Sequence, residues 1–179
     1  MDRLTESYRS FRKGDKTAFD CLMEECRQPL IYYLNGLLGN LSDAEDVAMD
    51  AFCELLVHPL RYRFQCSIKS YLYTVAHNKA VDLLRRKRQT APIEEAAFVA
   101  DSVALEDAVI DTDEKKRLNG ILMGLNPEYR ECLRLGCLCG LSYDEAAAVM
   151  KKSNKQVNNL VYRARQALRA EWKEMEADA

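Results

Sequence analysis

The chain has 179 residues, of which 48% are hydrophobic, and its 26 basic and 28 acidic side chains give a formal net charge of −2. This length and composition are typical of a folded protein with one domain or two small ones. No apolar run approaches the roughly 18 residues of a membrane-spanning helix, and charges occupy the place of a secretory signal's apolar core. We therefore expect no membrane segment and a cytoplasmic location.

Two helices are predicted at the start of the chain. The first is amphipathic and ends at Gly14, and the second covers residues 16–39. Proline lacks the N–H that a helix needs and clashes with the preceding turn, so Pro29 is expected to kink the second helix.

A third helix is predicted over residues 42–57, with Ser42 as its N-cap and Glu45 completing a capping box. The residues expected to be buried on one face are Val47, Ala51, Cys53 or Leu55, and Leu56. Those expected to lie outside are Asp43, Glu45, Asp46, Asp50 and Glu54. This acidic face suits a basic protein partner, and a merely solvated face is the alternative interpretation.

The next segment combines aromatic and basic residues. His58-Pro59 is expected to end the third helix, a loop follows over residues 60–70, and a fourth helix is predicted over residues 70–89. Rings and cations together suit single-stranded nucleic acid, because bases stack on the rings and phosphates attract the cations. The rings are Tyr62, Phe64, Tyr71 and Tyr73, and the cations are Arg61, Arg63, Lys69, Lys79 and the run Arg85, Arg86, Lys87 and Arg88. The alternative places most of these rings in the core, with Tyr73 among them, as expected for Leu72, Val75 and Ala76.

Charge divides the chain into three parts. Residues 1–90 carry 14 bases and 12 acids, and residues 114–179 carry 12 bases and 9 acids. Residues 91–113 carry seven acids and no base, and their apolar pattern is weak. This pattern indicates a linker with room for one short helix, and we place the domain boundaries near Thr90 and Asp113.

Four helices are predicted after the linker, and several begin at recognisable caps. The first covers residues 114–124. The second begins at Asn126 as N-cap, with Pro127 in the first position, and ends at Gly140. Capping boxes then pair Ser142 with Glu145 and Ser153 with Gln156. Two short capped helices joined by a tight turn indicate a helix-turn-helix.

The last of these helices has two different faces. The residues predicted to pack inward are Val157, Leu160, Val161, Ala164, Leu168 and Trp172. The residues predicted to face outward are Lys155, Asn158, Asn159, Tyr162, Gln166 and Arg169, with Arg163 and Arg165 on the flanks. The segment from Lys151 to Arg169 contains no acid, as expected of a helix in the major groove, because carboxylates would be repelled by DNA phosphates. The candidates for base contacts are Lys155, Gln156, Asn158, Asn159 and Tyr162. The alternative interpretation is that this basic, polar face is simply solvated.

Seven cysteines are spread along the chain, and Cys132, Cys137 and Cys139 form a cluster. A zinc site needs four ligands, and the only two histidines, His58 and His77, lie far away in sequence. We therefore expect reduced thiols that pack as small hydrophobic groups, with no bound metal.

Three segments together resemble the extracytoplasmic-function (ECF) sigma factors, the small two-domain initiation subunits of bacterial RNA polymerase. DAEDVAMDAFCELL resembles the family's polymerase-binding helix, and SYLYTVAHNKAVDLLRRKR resembles its promoter-melting helix. LNPEYRECLRLGCLCGLSYDEAAAVMKKSNKQVNNLVYRARQALR resembles its helix-turn-helix. The resemblance implies an all-α fold, with sigma region 2 over residues 1–90, an acidic linker over 91–113 and sigma region 4 over 114–179.

The resemblance also implies functions for single residues. The residues implied in docking on the clamp of the polymerase's largest subunit are Asp46, Asp50 and Phe52. The residues implied at the downstream (−10) element, duplex or melted, are Arg61, Arg63, Tyr71, Asn78, Lys79, Asp82, Arg85 and Arg86. The residues expected at the upstream (−35) element are Lys155, Gln156, Asn158, Asn159, Tyr162, Arg163 and Arg165. The implied partners are core RNA polymerase, promoter DNA and an anti-sigma factor, with no cofactor and no catalytic residue.

This sequence departs from the family pattern at three positions. Met49 stands where the family has a glutamine, Tyr71 replaces a tryptophan, and Lys151 replaces the glycine usual in the helix-turn-helix turn. Loss of that glycine implies a different turn or a strained one. In related factors the linker threads channels that later hold RNA, so its carboxylates are expected to mimic nucleic acid there.

Two other functions compete with this interpretation. A dimeric helix-turn-helix regulator that never contacts polymerase would bind a palindromic site, but it leaves the aromatic and basic fourth helix unexplained. A helical enzyme with His77 as base lacks a nucleophile motif, a phosphate-binding loop and metal-ligand spacing.

Overall fold

The computed structural model describes residues 2–90 and 120–177, and every regular element in these ranges is helical, which confirms the all-α prediction. The helices are α1 (Arg3–Arg12), α2 (Ala18–Leu38), α3 (Leu41–Val57), α4 (Ile68–Thr90), α5 (Pro127–Leu133), α6 (Tyr143–Val149) and α7 (Asn154–Ala177). A 3-10 turn lies at Pro59–Arg61 and a π-helical turn at Arg134–Leu138. The chain divides into two compact units.

Two sequence predictions fall wholly or partly outside the described ranges. The acidic linker over residues 91–113 lies outside them. The helix predicted over residues 114–124 is described only from residue 120, and residues 120–124 are helical. Within the described ranges, no helix is both long and apolar enough to cross a membrane.

The N-terminal helices, α1–α4, enclose one hydrophobic core, in which α3 packs against both α2 and α4. Its largest fully buried side chains include Tyr8, Leu22, Leu30, Leu34, Phe52, Leu55, Tyr62, Ile68, Leu72 and Tyr73. The Tyr8 hydroxyl donates a 2.7 Å hydrogen bond to the Leu55 carbonyl. That carbonyl would normally accept from the residue four positions later, but Pro59 has no N–H. Tyr8 therefore replaces a missing helical hydrogen bond at the end of α3.

The start of α3 differs from the prediction. Gly39 ends α2 in the left-handed region at φ 69°, and Asn40 follows in extended conformation as N-cap. The Asn40 side-chain oxygen accepts from the Asp43 N–H at 2.9 Å, so the predicted Ser42–Glu45 capping box is wrong. Asn40 is as good a cap as Ser42, and its position directly after the helix-ending glycine decides the boundary.

The prediction of the buried face of α3 is also wrong for one residue. Val47, Ala51 and Leu55 are buried as predicted, whereas Leu56 is 48% exposed. Leu56 lies one position, about 100°, beyond Leu55 around the helix, which turns it away from the core.

The second and fourth helices differ less from the predictions. Helix α2 includes Pro29 and continues beyond it to Leu38, so the proline does not end the helix. Helix α4 starts at Ile68 rather than at the predicted Ser70, and Ser67 caps it by accepting from the Ser70 N–H at 3.1 Å. The Ile68 N–H donates to the Thr5 hydroxyl at 3.0 Å in the core, which joins the start of α4 to α1.

The C-terminal helices, α5–α7, begin at the predicted caps. The Asn126 side chain accepts from the Glu128 N–H at 2.9 Å, with Pro127 in the first helical position. Both capping boxes are present, because Ser142 exchanges hydrogen bonds with Glu145 and Ser153 does so with Gln156. These three predictions are confirmed.

The turn between α6 and α7 keeps the shape that a glycine would favour. Lys151 adopts φ 54°, in the left-handed region that is unfavourable for residues with a Cβ. Of the two outcomes expected from the loss of glycine here, the structure shows the strained turn.

Candidate nucleic-acid and protein interfaces

Helix α7 has the two faces that its sequence predicts. Val157, Val161 and Ala164 are buried, while Leu160 and Leu168 are half-buried. The exposed residues between positions 155 and 169 are Lys155, Gln156, Asn158, Asn159, Tyr162, Arg163, Arg165, Gln166 and Arg169. The exposed face is therefore polar or basic and without a carboxylate over four turns.

The Gln156 side chain forms part of the N-terminal cap of α7. Its side-chain oxygen accepts from the Ser153 N–H at 2.8 Å and from the Ser153 hydroxyl at 3.0 Å. Bidentate pairing with adenine needs that same oxygen as acceptor. The geometry thus favours a capping role for Gln156 over the predicted base contact, and it leaves Lys155, Asn158 and Asn159 exposed near the start of the helix.

Tyr162 is 65% exposed on the same face. The Gln166 amide donates to its hydroxyl at 2.7 Å, one turn further along the helix. A phenol oxygen that accepts this bond keeps its own O–H as a donor. Tyr162 can therefore donate to a base edge or a phosphate while Gln166 holds its ring.

The Arg61–Ser67 loop starts at the last residue of the 3-10 turn and leads to α4, and its aromatic residues differ in exposure. Tyr62 is 1% exposed, and its hydroxyl donates to the Cys66 carbonyl at 2.5 Å. Tyr73 is fully buried. Of the two interpretations of these rings, the core alternative holds for Tyr62 and Tyr73, because both rings are buried. Phe64 and Tyr71 are half-buried and border the surface.

Four residues predicted at the −10 element share one face of α4, because their spacing of seven, four and three residues matches whole helical turns. They are Tyr71, Asn78, Asp82 and Arg85. The Asn78 side-chain oxygen is buried and has no hydrogen-bond partner in the described part of the chain. Such an acceptor is costly to leave unpaired, which suits a position that receives a donor from a ligand. Burial, and next the Glu54 carboxylate, raise the pKa of Tyr71, so this phenol stays protonated.

The cations predicted near DNA are not all equivalent. Arg63 and Arg86 are exposed, and Lys79 is half-buried. Arg85 lies 3.5 Å from Asp82, and Arg61 forms an ion pair with Glu54 of α3. The charge of Arg61 is therefore partly compensated by an acid on a neighbouring helix.

The outer face of α3 is acidic in its first half and apolar towards its end. Asp46 and Asp50 are exposed. The large exposed hydrophobic residues on and just after α3 are Leu41 at its start and Met49, Leu56, Val57 and Leu60 further along. Phe52, predicted to bind polymerase, is only 2% exposed and packs edge-on against Phe19. A direct contact from Phe52 is therefore not supported, because its ring fixes α3 against α2 from inside.

The expectation that the cysteines pack as small hydrophobic groups is confirmed for Cys26, Cys132 and Cys139, which are buried, and is wrong for Cys53, Cys66 and Cys137, which are exposed. Cys132 is buried and donates to the Tyr129 carbonyl at 3.2 Å, and burial raises the pKa of its thiol to about 11. His77 is buried, with its Nδ1 2.8 Å from the Tyr33 hydroxyl. Among the described residues, no three or more His, Cys, Asp or Glu side chains come together as a metal site.

Comparison with known families matches the two sets of helices separately. Residues 22–90 match the family model of sigma-70 region 2, and residues 115–168 match that of sigma-70 region 4. The fold and these matches define a two-domain initiation factor of the sigma-70 type, which is a non-catalytic class of protein.

Individual relatives narrow the assignment. The chain is 30% identical over 135 residues to the ferric citrate uptake sigma factor FecI of Escherichia coli (strain K12), covering 74% of this chain and 78% of that one. It is 25% identical over 175 residues to the ECF RNA polymerase sigma factor SigW of Bacillus subtilis (strain 168), covering 92% and 94%. The chain belongs to the ECF sigma factors, and its partners are RNA polymerase and promoter DNA.

Solved structures support the fold. The sigma factor RpoE from Bartonella quintana, in complex with the anti-sigma factor NepR, matches with a TM-score of 0.73 and 22% identity, covering 87% of this chain and 96% of that one. CnrH, in complex with the cytosolic domain of CnrY, matches with a TM-score of 0.68 and 22% identity, covering 99% of this chain and 100% of that one.

The alternative function, a dimeric helix-turn-helix regulator, is not favoured, because it leaves the match to sigma-70 region 2 unexplained.

Proposed function

We propose that this sigma factor recognises the −35 element with α7, and that it binds and stabilises the melted −10 element with α4 and the Arg61–Ser67 loop. The observation that carries the proposal is the exposed, carboxylate-free face of α7, which begins at the helix-turn-helix turn. A helix in the major groove contacts base edges from its first turns and phosphates from its sides. On this basis Lys155, Asn158 and Asn159 contact bases, while Arg163 and Arg165 contact phosphates.

The −10 contacts belong to the N-terminal helices. The shared face of α4 presents Tyr71 as a stacking surface and Asn78 as a buried acceptor for an unpaired base. Lys79, Arg85 and Arg86 lie further along the helix and attract the adjoining phosphates. Arg61 and Arg63 supply further charge from the loop, and Asp82 keeps Arg85 in place.

Polymerase binds the outer face of α3 in this proposal. Asp46 and Asp50 are exposed carboxylates that suit a basic partner, and Met49 and Leu56 beside them add apolar area. Phe52 supports this surface from the core. The chain acts in the cytoplasm, and an anti-sigma factor is a further partner by analogy with the RpoE–NepR complex. The functional division is residues 1–90, a linker over 91–113, and residues 114–179.

The experiment compares two single substitutions in reconstituted transcription. Start sites are first mapped with bacterial core RNA polymerase and the wild-type chain, and single base changes are then made in each promoter element. Asn159→Ala should lose discrimination at one −35 position, by about 1–3 kcal/mol, because a bidentate contact disappears. Asn78→Ala should lose discrimination within the −10 element only.

Glu171→Ala is the matched control, since Glu171 is exposed on α7 about three turns beyond Asn159. It should change neither preference. Equal loss at both elements from either asparagine substitution would contradict the assignment of separate elements to α7 and α4.

A further inference from the structure

The Arg61–Ser67 loop has an unusual backbone at its centre. Phe64 adopts φ 58°, in the left-handed region. Glycine, asparagine and aspartate occur there, whereas a bulky aromatic residue is an outlier. Such a conformation persists only when its surroundings fix it, and it is common at ligand-binding sites.

Two arginines of α1 supply these surroundings. The guanidinium groups of Arg9 and Arg12 lie 4.9 Å and 5.1 Å from the centroid of the Phe64 ring, within the range of cation–π attraction. They are three residues apart and so lie on the same side of α1. Arg12 also donates to the Tyr62 carbonyl at 3.1 Å, which fixes the chain two residues before Phe64.

The contacts continue from Phe64 towards the proposed −10 surface. Its ring lies 4.7 Å from that of Tyr62, and the Tyr62 ring lies 5.1 Å from that of Tyr71. Tyr62 is buried and also packs edge-on against Tyr8 of α1. A change in the position of the Phe64 ring would therefore shift the Tyr62 ring, which contacts Tyr71.

We propose that Arg9 and Arg12 are positioning residues for −10 recognition, because they hold Phe64 in its left-handed conformation and so set the shape of the Arg61–Ser67 loop. This inference rests on the proposed role of that loop at the −10 element. Neither arginine needs to touch DNA, so α1 becomes a determinant of promoter choice.

The test uses the full chain bound to core polymerase and two single-stranded oligonucleotides, one with the −10 sequence of a mapped promoter and one with a base substitution in it. The ratio of the two affinities is the specificity ratio. Replacing both arginines, Arg9→Gln and Arg12→Gln, should lower this ratio about 5- to 30-fold, which corresponds to losing two cation–π contacts. Affinity for core polymerase should stay the same, because α3 is unchanged.

Two further double variants separate positioning from general charge. Arg9→Lys with Arg12→Lys keeps both cations and should retain most of the ratio. Lys13→Gln with Lys16→Gln removes two exposed cations just beyond the same helix and should leave the ratio unchanged. If the double glutamine variant fails to fold by circular dichroism, each single substitution is used instead, with an expected loss of about 2- to 5-fold.

The possible results separate the role of Arg9 and Arg12 from the proposed role of the Arg61–Ser67 loop at the −10 element. A wild-type chain without any −10 preference would remove the proposed role of the loop, and the inference with it. A wild-type preference that survives in the glutamine variants would overturn the inference alone. An equal loss in the Lys13 and Lys16 control would also overturn it, since the effect would then be one of net charge.

Discussion

Lys151 offers a direct test of how the helix-turn-helix turn is built. Its φ of 54° places a Cβ-bearing residue in the left-handed region, which costs about 1–2 kcal/mol relative to the right-handed one. Lys151→Gly removes that cost. Glycine also gains freedom in the unfolded chain, which offsets about 0.4–1 kcal/mol of the benefit.

The comparison that isolates the backbone effect is Lys151→Gly against Lys151→Ala, since both remove the charged side chain and only alanine keeps the Cβ. We expect the glycine variant to be more stable by about 1 kcal/mol. For a unit of this size that difference corresponds to a melting temperature about 4–8 °C higher.

The assay is urea unfolding followed by the fluorescence of Trp172. This is the only tryptophan in the sequence, and it lies on α7, so the signal reports on the C-terminal helices. If the glycine variant is equal to or less stable than the alanine variant, position 151 carries no left-handed strain, because glycine destabilises ordinary helical or extended positions.

Three other predictions concern the N-terminal helices. Tyr8→Phe leaves the buried Leu55 carbonyl without its donor and should lower the free energy of unfolding by about 1–3 kcal/mol, measured by urea unfolding with circular dichroism. Burial raises the pKa of Tyr8 from 10.0 to about 12, so the folded state keeps a proton that the unfolded state loses, and stability should fall as pH rises through this range. The loss of stability with rising pH should be smaller in Tyr8→Phe, which has no hydroxyl to titrate. Identical pH profiles of stability for the wild type and the variant would contradict this role of Tyr8. Glu54→Gln frees Arg61 from its ion pair and should strengthen binding of single-stranded DNA by the free chain up to about 5-fold. Fluorescence anisotropy measures this, and an equal gain from Glu45→Gln, an exposed acid on the same helix, would show a general charge effect.

Local signals in the sequence predicted the helix-turn-helix well. The caps at Asn126, Ser142 and Ser153 depend on residues within three positions of each other, so the pattern and the structure agree. The same logic failed at Ser42, because Asn40 is an equally good cap and the end of α2 determines which one is used.

The parts that could not be predicted depend on contacts between distant residues. Whether Tyr62 is a stacking surface or part of the core is decided by Tyr8 of α1, which packs against it. The left-handed backbone at Phe64 has no local signal, since phenylalanine is disfavoured there and the stabilising arginines lie more than fifty residues earlier. The sequence predicted both a capping role and a base contact for Gln156. Only the structure shows that the side-chain oxygen of Gln156 accepts the hydrogen bond of the cap.

The most direct test of the proposed promoter recognition is transcription in vitro with bacterial core RNA polymerase, with and without this chain, followed by mapping of the start sites. We expect added transcripts that start downstream of an asymmetric site with two separate elements. Changing the surface of α7 should abolish the preference for the −35 element, and changing that of α4 should abolish the preference for the −10 element. With a competent core enzyme, the absence of any added promoter-dependent transcript would contradict the proposed promoter recognition.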